Sequence, residues 1–222
     1  MDVNGSHSCL GLIETPRPAA LVGGLSIDST LVQRAREGDA SAREELARVS
    51  GDAAFRFALQ LLGDRELARD VAQDSVLRLF SSLRRVDPER PLQPWLFSIV
   101  RNRVIDLRRR ALSRGERGAA LPSRAAAGDA GELPHDPPDA GPGPFERSER
   151  GELQRLMWSC LGRLERAHRE ILVLRDYQDL SYREIAEVLA VPLGTVMSRL
   201  HAARRKLRAE VLATGYRFGG GS

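Results

Sequence analysis

Cysteine is nearly absent: the 222 residues hold two, Cys9 and Cys160. They lie far apart and show no ligand spacing, which argues against a disulfide framework or a zinc site. Cys160 falls on an apolar helical stripe and is expected to pack as a small buried hydrophobe. His7 and Cys9 share the N-terminal segment, but two ligands alone make a poor metal site. Long apolar runs are missing too. No segment approaches the roughly 18 residues that suggest a membrane span. The N-terminus has no basic stretch followed by an apolar run, so no secretory signal is expected. These absences predict a cytoplasmic protein without a membrane partner. Aromatics are scarce at 5%, and no alternating Val/Ile/Thr runs suggest a sheet. There is no internal repeat. His7, His135, His168 and His201 are scattered, and neither a glycine-rich phosphate loop nor a metal-ligand cluster appears. Neither catalysis nor a cofactor is expected.

What is present is charge and helical periodicity. Hydrophobic residues make up 42% and charged residues 29%, a balance that favours helical surfaces. The net charge of +4 is modest, so its location matters more than its size. Residues 1–26 are rich in Gly, Pro and Ser and read as a flexible tail. Helical character covers 27–110. The stretch 111–145 then holds six of the twelve prolines and six glycines. It buries too little apolar surface to offset the entropy of ordering and reads as a flexible linker. Helical periodicity resumes over 146–214, and 215–222 reads as a second tail. The expected fold is all-α: two small helical domains joined by a linker.

In the C-terminal domain, Leu153, Leu156, Met157, Cys160, Leu161 and Leu164 form one apolar stripe at helical spacing. A second helix carries Ile171, Leu172, Leu174 and Tyr177. Ser181, with Glu184 three residues on, is a capping box that starts a third helix, faced inward by Ile185, Val188 and Leu189. Pro192 prevents that helix from continuing. A fourth helix begins near Leu193, with Val196, Leu200, Ala203 and Leu207 inward. From Leu193 to Arg208 there are five basic residues and no acidic one. A short helix, a tight turn and a basic helix predict a helix-turn-helix whose last helix enters the major groove. Thr195, Ser198, Arg199, His201, Arg204 and Arg205 are its candidate DNA-binding residues.

In the N-terminal domain, helices are expected around Leu31–Ala35 and from Ala42 onward, separated by Gly38-Asp39. Gly63-Asp64 supplies a stop and a new cap. The next helix, about 65–83, turns Asp70, Gln73 and Asp74 to its polar side. A loop over 86–94 with three prolines is stiff. A helix from Trp95 to Arg110 points Leu96, Ile99, Val100, Val104 and Leu107 inward, and Ser98, Arg101, Asn102, Arg108 and Arg109 away. Arg103 falls nearer the apolar side and is expected to pair with an acidic neighbour. Trp95 suits a core position.

Two stretches carry a resemblance. Leu180-Ser-Tyr-Arg-Glu-Ile-Ala-Glu-Val-Leu-Ala-Val-Pro-Leu-Gly-Thr-Val-Met-Ser-Arg-Leu-His-Ala-Ala-Arg-Arg-Lys-Leu207 resembles region four of the sigma-70 family, extracytoplasmic-function (ECF) type. Asp70-Val-Ala-Gln-Asp74 and Pro94-Trp-Leu-Phe-Ser-Ile-Val-Arg-Asn-Arg-Val-Ile-Asp-Leu-Arg-Arg109 resemble region two. The resemblance implies a transcription initiation factor. Asp70, Gln73 and Asp74 would dock on the clamp helices of the largest subunit of core RNA polymerase. Trp95, Ser98, Arg101, Asn102, Arg108 and Arg109 would open and read the minus-ten promoter element, including its unpaired non-template strand. Region four would read the minus-thirty-five element as duplex. An anti-sigma factor is the further partner implied. In region two Val76 stands where Phe is common, a change of packing; in region four two positions depart from the pattern: Met197 stands where Lys or Arg is usual, and Ala202 where Arg is common. Both predict a lighter phosphate grip or a changed base preference. The competing reading, a stand-alone dimeric helix-turn-helix regulator, leaves the acidic face and the proline-rich loop unexplained.

Overall fold

Three aspartates start the first three described helices. Asp28, Asp39 and Asp64 each present a carboxylate to a backbone N–H of the following turn, accepting from Thr30, Ala42 and Leu67 at 3.0, 3.1 and 2.9 Å. Each satisfies a donor that has no partner within its own helix. The helices are α1 (Ser29–Glu37), α2 (Ala40–Leu62) and α3 (Arg65–Ser82). Gly38 and Gly63 end α1 and α2 in the left-handed region, at φ 102° and 69°, where a side chain would be strained. The computed structural model describes residues 27–87, 90–113 and 144–216. The expected tail over 1–26, residues 114–143 of the expected linker and 217–222 lie outside the described residues.

A 3-10 turn, Leu83–Arg85, follows α3, and α4 spans Leu92–Ser113. The sequence reading starts this helix at Trp95 and ends it at Arg110. It begins earlier because Pro94 lies in the first turn, where its missing N–H would have had no helical partner anyway. The four helices close around Phe57 and Phe97, both fully buried, with ring centroids 4.6 Å apart. Leu46, Leu61, Leu79 and Leu96 complete this centre. Phe97 lay outside the inward set read from the sequence. Its ring packs on that of Phe57 from α2.

The second domain comprises α5 (Pro144–Arg163), α6 (Arg166–Leu172), α7 (Tyr182–Leu189) and α8 (Leu193–Ala213). A π-helical turn, Val173–Tyr177, extends α6. Arg169 is buried and donates to the carbonyls of Leu161, Gly162 and Leu164, so its guanidinium caps the C-terminus of α5. The Trp158 and Tyr177 rings pack at 4.7 Å. The capping box forms as expected: Glu184 N–H donates to Ser181 Oγ at 3.3 Å, and Ser181 N–H to Glu184 Oε2 at 2.7 Å. Ala190 ends α7 at φ 53°, and Pro192 starts α8 two residues later. Val196, Leu200, Ala203, Leu207 and Val211 form the buried stripe of α8. Cys160 is buried among these helices, and that burial pushes its thiol pKa up, which leaves it unreactive.

Among the described residues there is no strand, and the all-α architecture holds. The two helical units also touch. Helix α4 packs on α7, α2 meets α6, and the buried apolar residues of both units form one continuous cluster.

Replacing Phe57 with Ala is expected to destabilise the first unit by about 3–5 kcal/mol through the cavity it leaves. Replacing Ser181 with Ala is expected to cost the second unit about 1 kcal/mol through the lost cap. Urea unfolding followed by circular dichroism distinguishes the two magnitudes.

Candidate nucleic-acid interface

Helix α8 begins immediately after a proline, so its first turn is free of side-chain capping. The candidates divide by position along it. Ser198, His201 and Arg205 are exposed, while Thr195 and Arg199 are half-buried. The Ser198 hydroxyl donates to the Thr195 carbonyl at 3.2 Å, which leaves its lone pairs outward. Arg199, Arg205 and Arg208 form no ion pair with another described residue. Arg204 differs: its guanidinium donates to Asp176 at 2.7 Å and ties α8 to the π-helical turn. Lys206 bonds Glu165 at 3.1 Å and lies 3.4 Å from the His168 ring. That hydrogen bond holds the Glu165 carboxyl below the usual carboxylate range. The His168 imidazole is pushed down, first by burial and then by the Lys206 charge. The basic surface available on α8 is therefore its first half plus Arg205 and Arg208. Leu193 and Met197, one turn apart on that first half, are exposed apolar side chains, 39% and 49% accessible.

Helix α4 distributes its candidates over three directions. Asn102 and Arg109 are exposed, and Arg109 bonds Asp106 on its own helix at 3.1 Å. Ser98 is half-buried and donates to the Trp95 carbonyl at 2.7 Å. Trp95 packs partly buried against the core. Arg101 and Arg108 are not turned to open solvent with the others. Arg101 Nε lies 3.4 Å from Glu170 Oε2 of α6, with the two side chains only 17% and 4% exposed. Arg108 donates to the Leu61 carbonyl at 2.8 Å, near the end of α2. Desolvation lowers the Arg108 pKa, and the nearby Arg166 charge lowers it further. The physical reason is that α4 has packed neighbours on two sides, α2 with α3 on one and the second domain on the other. Helical periodicity reports a single inward face and could not show this second one.

On α3, Asp70, Gln73 and Asp74 are all exposed on one face. Asp74 also pairs with Arg103 at 2.5 Å, the acidic partner expected for that arginine. Beside this face runs a groove of about 450 Å³ between α2 and α3, lined by Phe55, Arg69, Gln73, Val76 and Leu77. Leu77 is 64% exposed. The sequence reading placed it on neither face. It also left out the contacts that join the domains. These are Gln178 to Gln60 at 2.8 Å, Arg90 to Glu187 at 2.7 Å, and Arg101 to Glu170. No local pattern encodes pairings between residues some 70 to 120 positions apart.

Among the described residues no helix is long and apolar enough to cross a membrane. The family profile for sigma-70 region 2 matches residues 46–114, and that for sigma-70 region 4 matches 154–207. The chain is 32% identical over 188 residues to the ECF RNA polymerase sigma factor SigL of Mycobacterium tuberculosis, covering 77% of this chain and 98% of that one. It is 34% identical over 166 residues to the ECF RNA polymerase sigma factor SigE of Mycolicibacterium smegmatis, covering 74% of this chain and 60% of the relative. Its fold matches the sigma factor RpoE of Bartonella quintana, solved in complex with the anti-sigma factor NepR. That match has a TM-score of 0.58 at 22% identity, over 79% of this chain and 99% of the other. An acidic helix face, a separate basic helix after a tight turn, and near-complete coverage of a relative of this kind agree. The chain belongs to the ECF branch of the sigma-70 family of RNA polymerase sigma factors, proteins of transcription initiation.

Proposed function

We propose that this sigma factor docks on the largest-subunit clamp helices of core RNA polymerase through the Asp70, Gln73 and Asp74 face. It reads the minus-ten element with α4 and the minus-thirty-five element with α8. The observation that carries this reading is charge segregation. The α3 strip with Asp70, Gln73 and Asp74 is acidic, with Arg65, Arg69 and Arg78 exposed outside it, whereas α8 offers no acidic residue from Leu193 to Arg208. An acidic surface suits a basic protein partner and is repelled by DNA, and the α8 surface is suited the other way round. In this reading residues 27–110 are the region-two domain and 146–214 the region-four domain. Residues 111–145 link them, and 1–26 and 215–222 are tails. The protein works in the cytoplasm, catalyses nothing itself and is restrained by an anti-sigma factor.

Strand opening in this scheme is a contest of small terms. Flipping a base costs a few kcal/mol, and stacking it on a side chain returns roughly 1–3 kcal/mol. Trp95 is the aromatic nearest that task on α4. With so few aromatics, one captured base shifts the balance only locally, so weak minus-ten sequences are poorly tolerated. Leu193 and Met197 bring apolar contact to the groove in place of a phosphate-gripping cation, which suits the methyl group of thymine.

Asp70 makes the cleaner docking probe, because Asp74 is already engaged with Arg103. Asp70→Arg is expected to weaken binding to purified core polymerase by about ten-fold or more while leaving the circular dichroism spectrum unchanged. Undiminished binding overturns the docking assignment.

Arg199→Ala is expected to cost about 1–3 kcal/mol on promoters with the preferred upstream element, and Met197→Lys to steepen the salt dependence by about one counterion. Both are read by transcription from a promoter library at several salt concentrations. Uniform losses over all sequences for Arg199→Ala would assign it to phosphate rather than to a base.

A further inference from the structure

Helix α8 carries its charge unevenly along its length. The solvent side of its first turns comprises Leu193, Gly194, Met197, Ser198 and His201, all exposed. At about 100° per residue these five positions share one arc of roughly 140°. None of them is Asp, Glu, Lys or Arg. Arg199, half-buried, stands outside this arc. Arginines join the same side only in the later turns, where Arg204 is held by Asp176 and Arg205 and Arg208 are exposed. Arg205 lies about 12 Å beyond Met197 along the axis, close to the roughly 12 Å width of the major groove. A helix that enters the groove by its first turns thus brings an uncharged face to the bases and arginines to the phosphate wall.

The middle of that face is bare. A Cβ placed on Gly194 would meet nothing within 4 Å, and its φ lies outside the left-handed region. Neither packing inside the chain nor backbone conformation calls for glycine there, and a helix disfavours glycine against alanine. Exposed backbone between the apolar side chains of Leu193 and Met197 lets a partner approach more closely than a side chain would permit. With no acidic residue from Leu193 to Arg208, the partner this strip suits is a polyanion that offers an apolar group. In the major groove of unmodified DNA that group is the C5-methyl of thymine.

The polar members of the face do not decide between pyrimidines. The Ser198 hydroxyl donates to the Thr195 carbonyl at 3.2 Å and keeps its acceptor capacity outward. Hydroxyl and imidazole groups each serve as donor or acceptor. Neither Ser198 nor His201 therefore fixes the O4 acceptor of thymine against the N4 amino donor of cytosine. A cation, which would impose that choice, is absent from the arc.

We infer that the leading face of α8 reads the C5-methyl group of a pyrimidine, through Met197 and Leu193 on either side of the bare backbone at Gly194, and not its hydrogen-bonding edge. A 5-methylcytosine is then accepted in place of thymine in the minus-thirty-five element. This rests on the assignment of α8 to that element and goes beyond it, because cytosine methylation of the DNA becomes a mark to which the factor responds.

The test uses the full-length chain reconstituted with purified core polymerase, on a duplex promoter selected from a library randomised over the upstream element. At each pyrimidine of the selected element, four duplexes carry thymine, deoxyuridine, 5-methylcytosine or cytosine, each with its complementary purine. Holoenzyme affinity is read by titration of open-complex formation. At one position or more, loss of the methyl is expected to weaken binding about four-fold, the scale of one buried methyl. The loss is expected both from thymine to deoxyuridine and from 5-methylcytosine to cytosine, with 5-methylcytosine within about two-fold of thymine. Met197 is half-exposed, so Met197→Ala leaves the buried stripe of α8 intact. It is expected to reduce both methyl effects below about two-fold. Gly194→Ala is expected to weaken binding to all four duplexes several-fold while its thermal unfolding midpoint stays level or rises.

Absence of methyl dependence at every position overturns the inference. So does a methyl effect that survives undiminished in both Met197→Ala and Leu193→Ala, or a 5-methylcytosine duplex bound no better than cytosine. Undiminished binding by Gly194→Ala overturns the role given to the bare backbone. If scrambling the whole upstream element changes nothing, the assignment of α8 to that element fails, and the methyl reading with it. Dependence on the element's sequence without dependence on the methyl removes the methyl reading alone.

Discussion

Helix α4 is asked to satisfy three environments at once, and the rest of the molecule is arranged around that demand. Phe97, Leu96, Val100 and Val104 are buried and bind it to α2 and α3. A second arc, with Arg101, lies against the second domain. Only a third arc, with Asn102 and Arg109, remains open to solvent. A helix about 11 Å across with its side chains has little perimeter to divide in this way. The buried arc is fixed, because removing its apolar residues from contact would cost several kcal/mol. The polar arc against the second domain is the part that can change.

That division also explains why the two charged surfaces sit where they do. Asp74 on α3 pairs with Arg103 on α4, so the two helices are tied together within one domain. The remaining acidic residue of that face, Asp70, lies one turn earlier, next to a groove with exposed Leu77. An exposed apolar side chain beside unpaired charge is a common composition for a protein-binding surface, in which the apolar part contributes area and the charges set orientation. On α8 the allocation differs. Arg204 and Lys206 hold the domain together through Asp176 and Glu165, and Arg199 with Arg205 is left for outside partners. Within one basic helix, some charges are thus structural and others available, and only tertiary contacts separate them.

Local signals in the sequence were sufficient for the main helix caps and breaks. The Gly38-Asp39 and Gly63-Asp64 breaks, the Ser181–Glu184 box and the buried stripe of α8 all follow from capping chemistry and helical spacing. Even the partner of Arg103 was legible in kind, since an arginine near an apolar face needs a nearby carboxylate. Part of what was illegible depended on distance along the chain. The outward direction assigned to Arg101 and Arg108 assumed solvent on that side, whereas Glu170 and the end of α2 stand there. Pro94 misplaced the start of α4, because a proline reads equally as the end of a loop and as the first turn of a helix. Leu77 was placed on neither face, because the inward face was read from apolar spacing and the outward one from polar residues.

How strong must the contact between the domains be to matter? Both domains belong to one chain, so closing is unimolecular, with an effective concentration on the order of millimolar. An interface that as two separate pieces would bind with a Kd of about 1 mM, or about 4 kcal/mol, is then closed roughly half the time. Exposed polar pairs such as Arg90 with Glu187 supply only about 0–1 kcal/mol each, so the apolar contact of α4 with α7 must provide most of the remainder. A junction of this size is strong enough to bias the free chain and weak enough to yield. A ligand shifts such a balance only by the difference between its affinities for the two forms. Core polymerase and DNA need not break a tight structure.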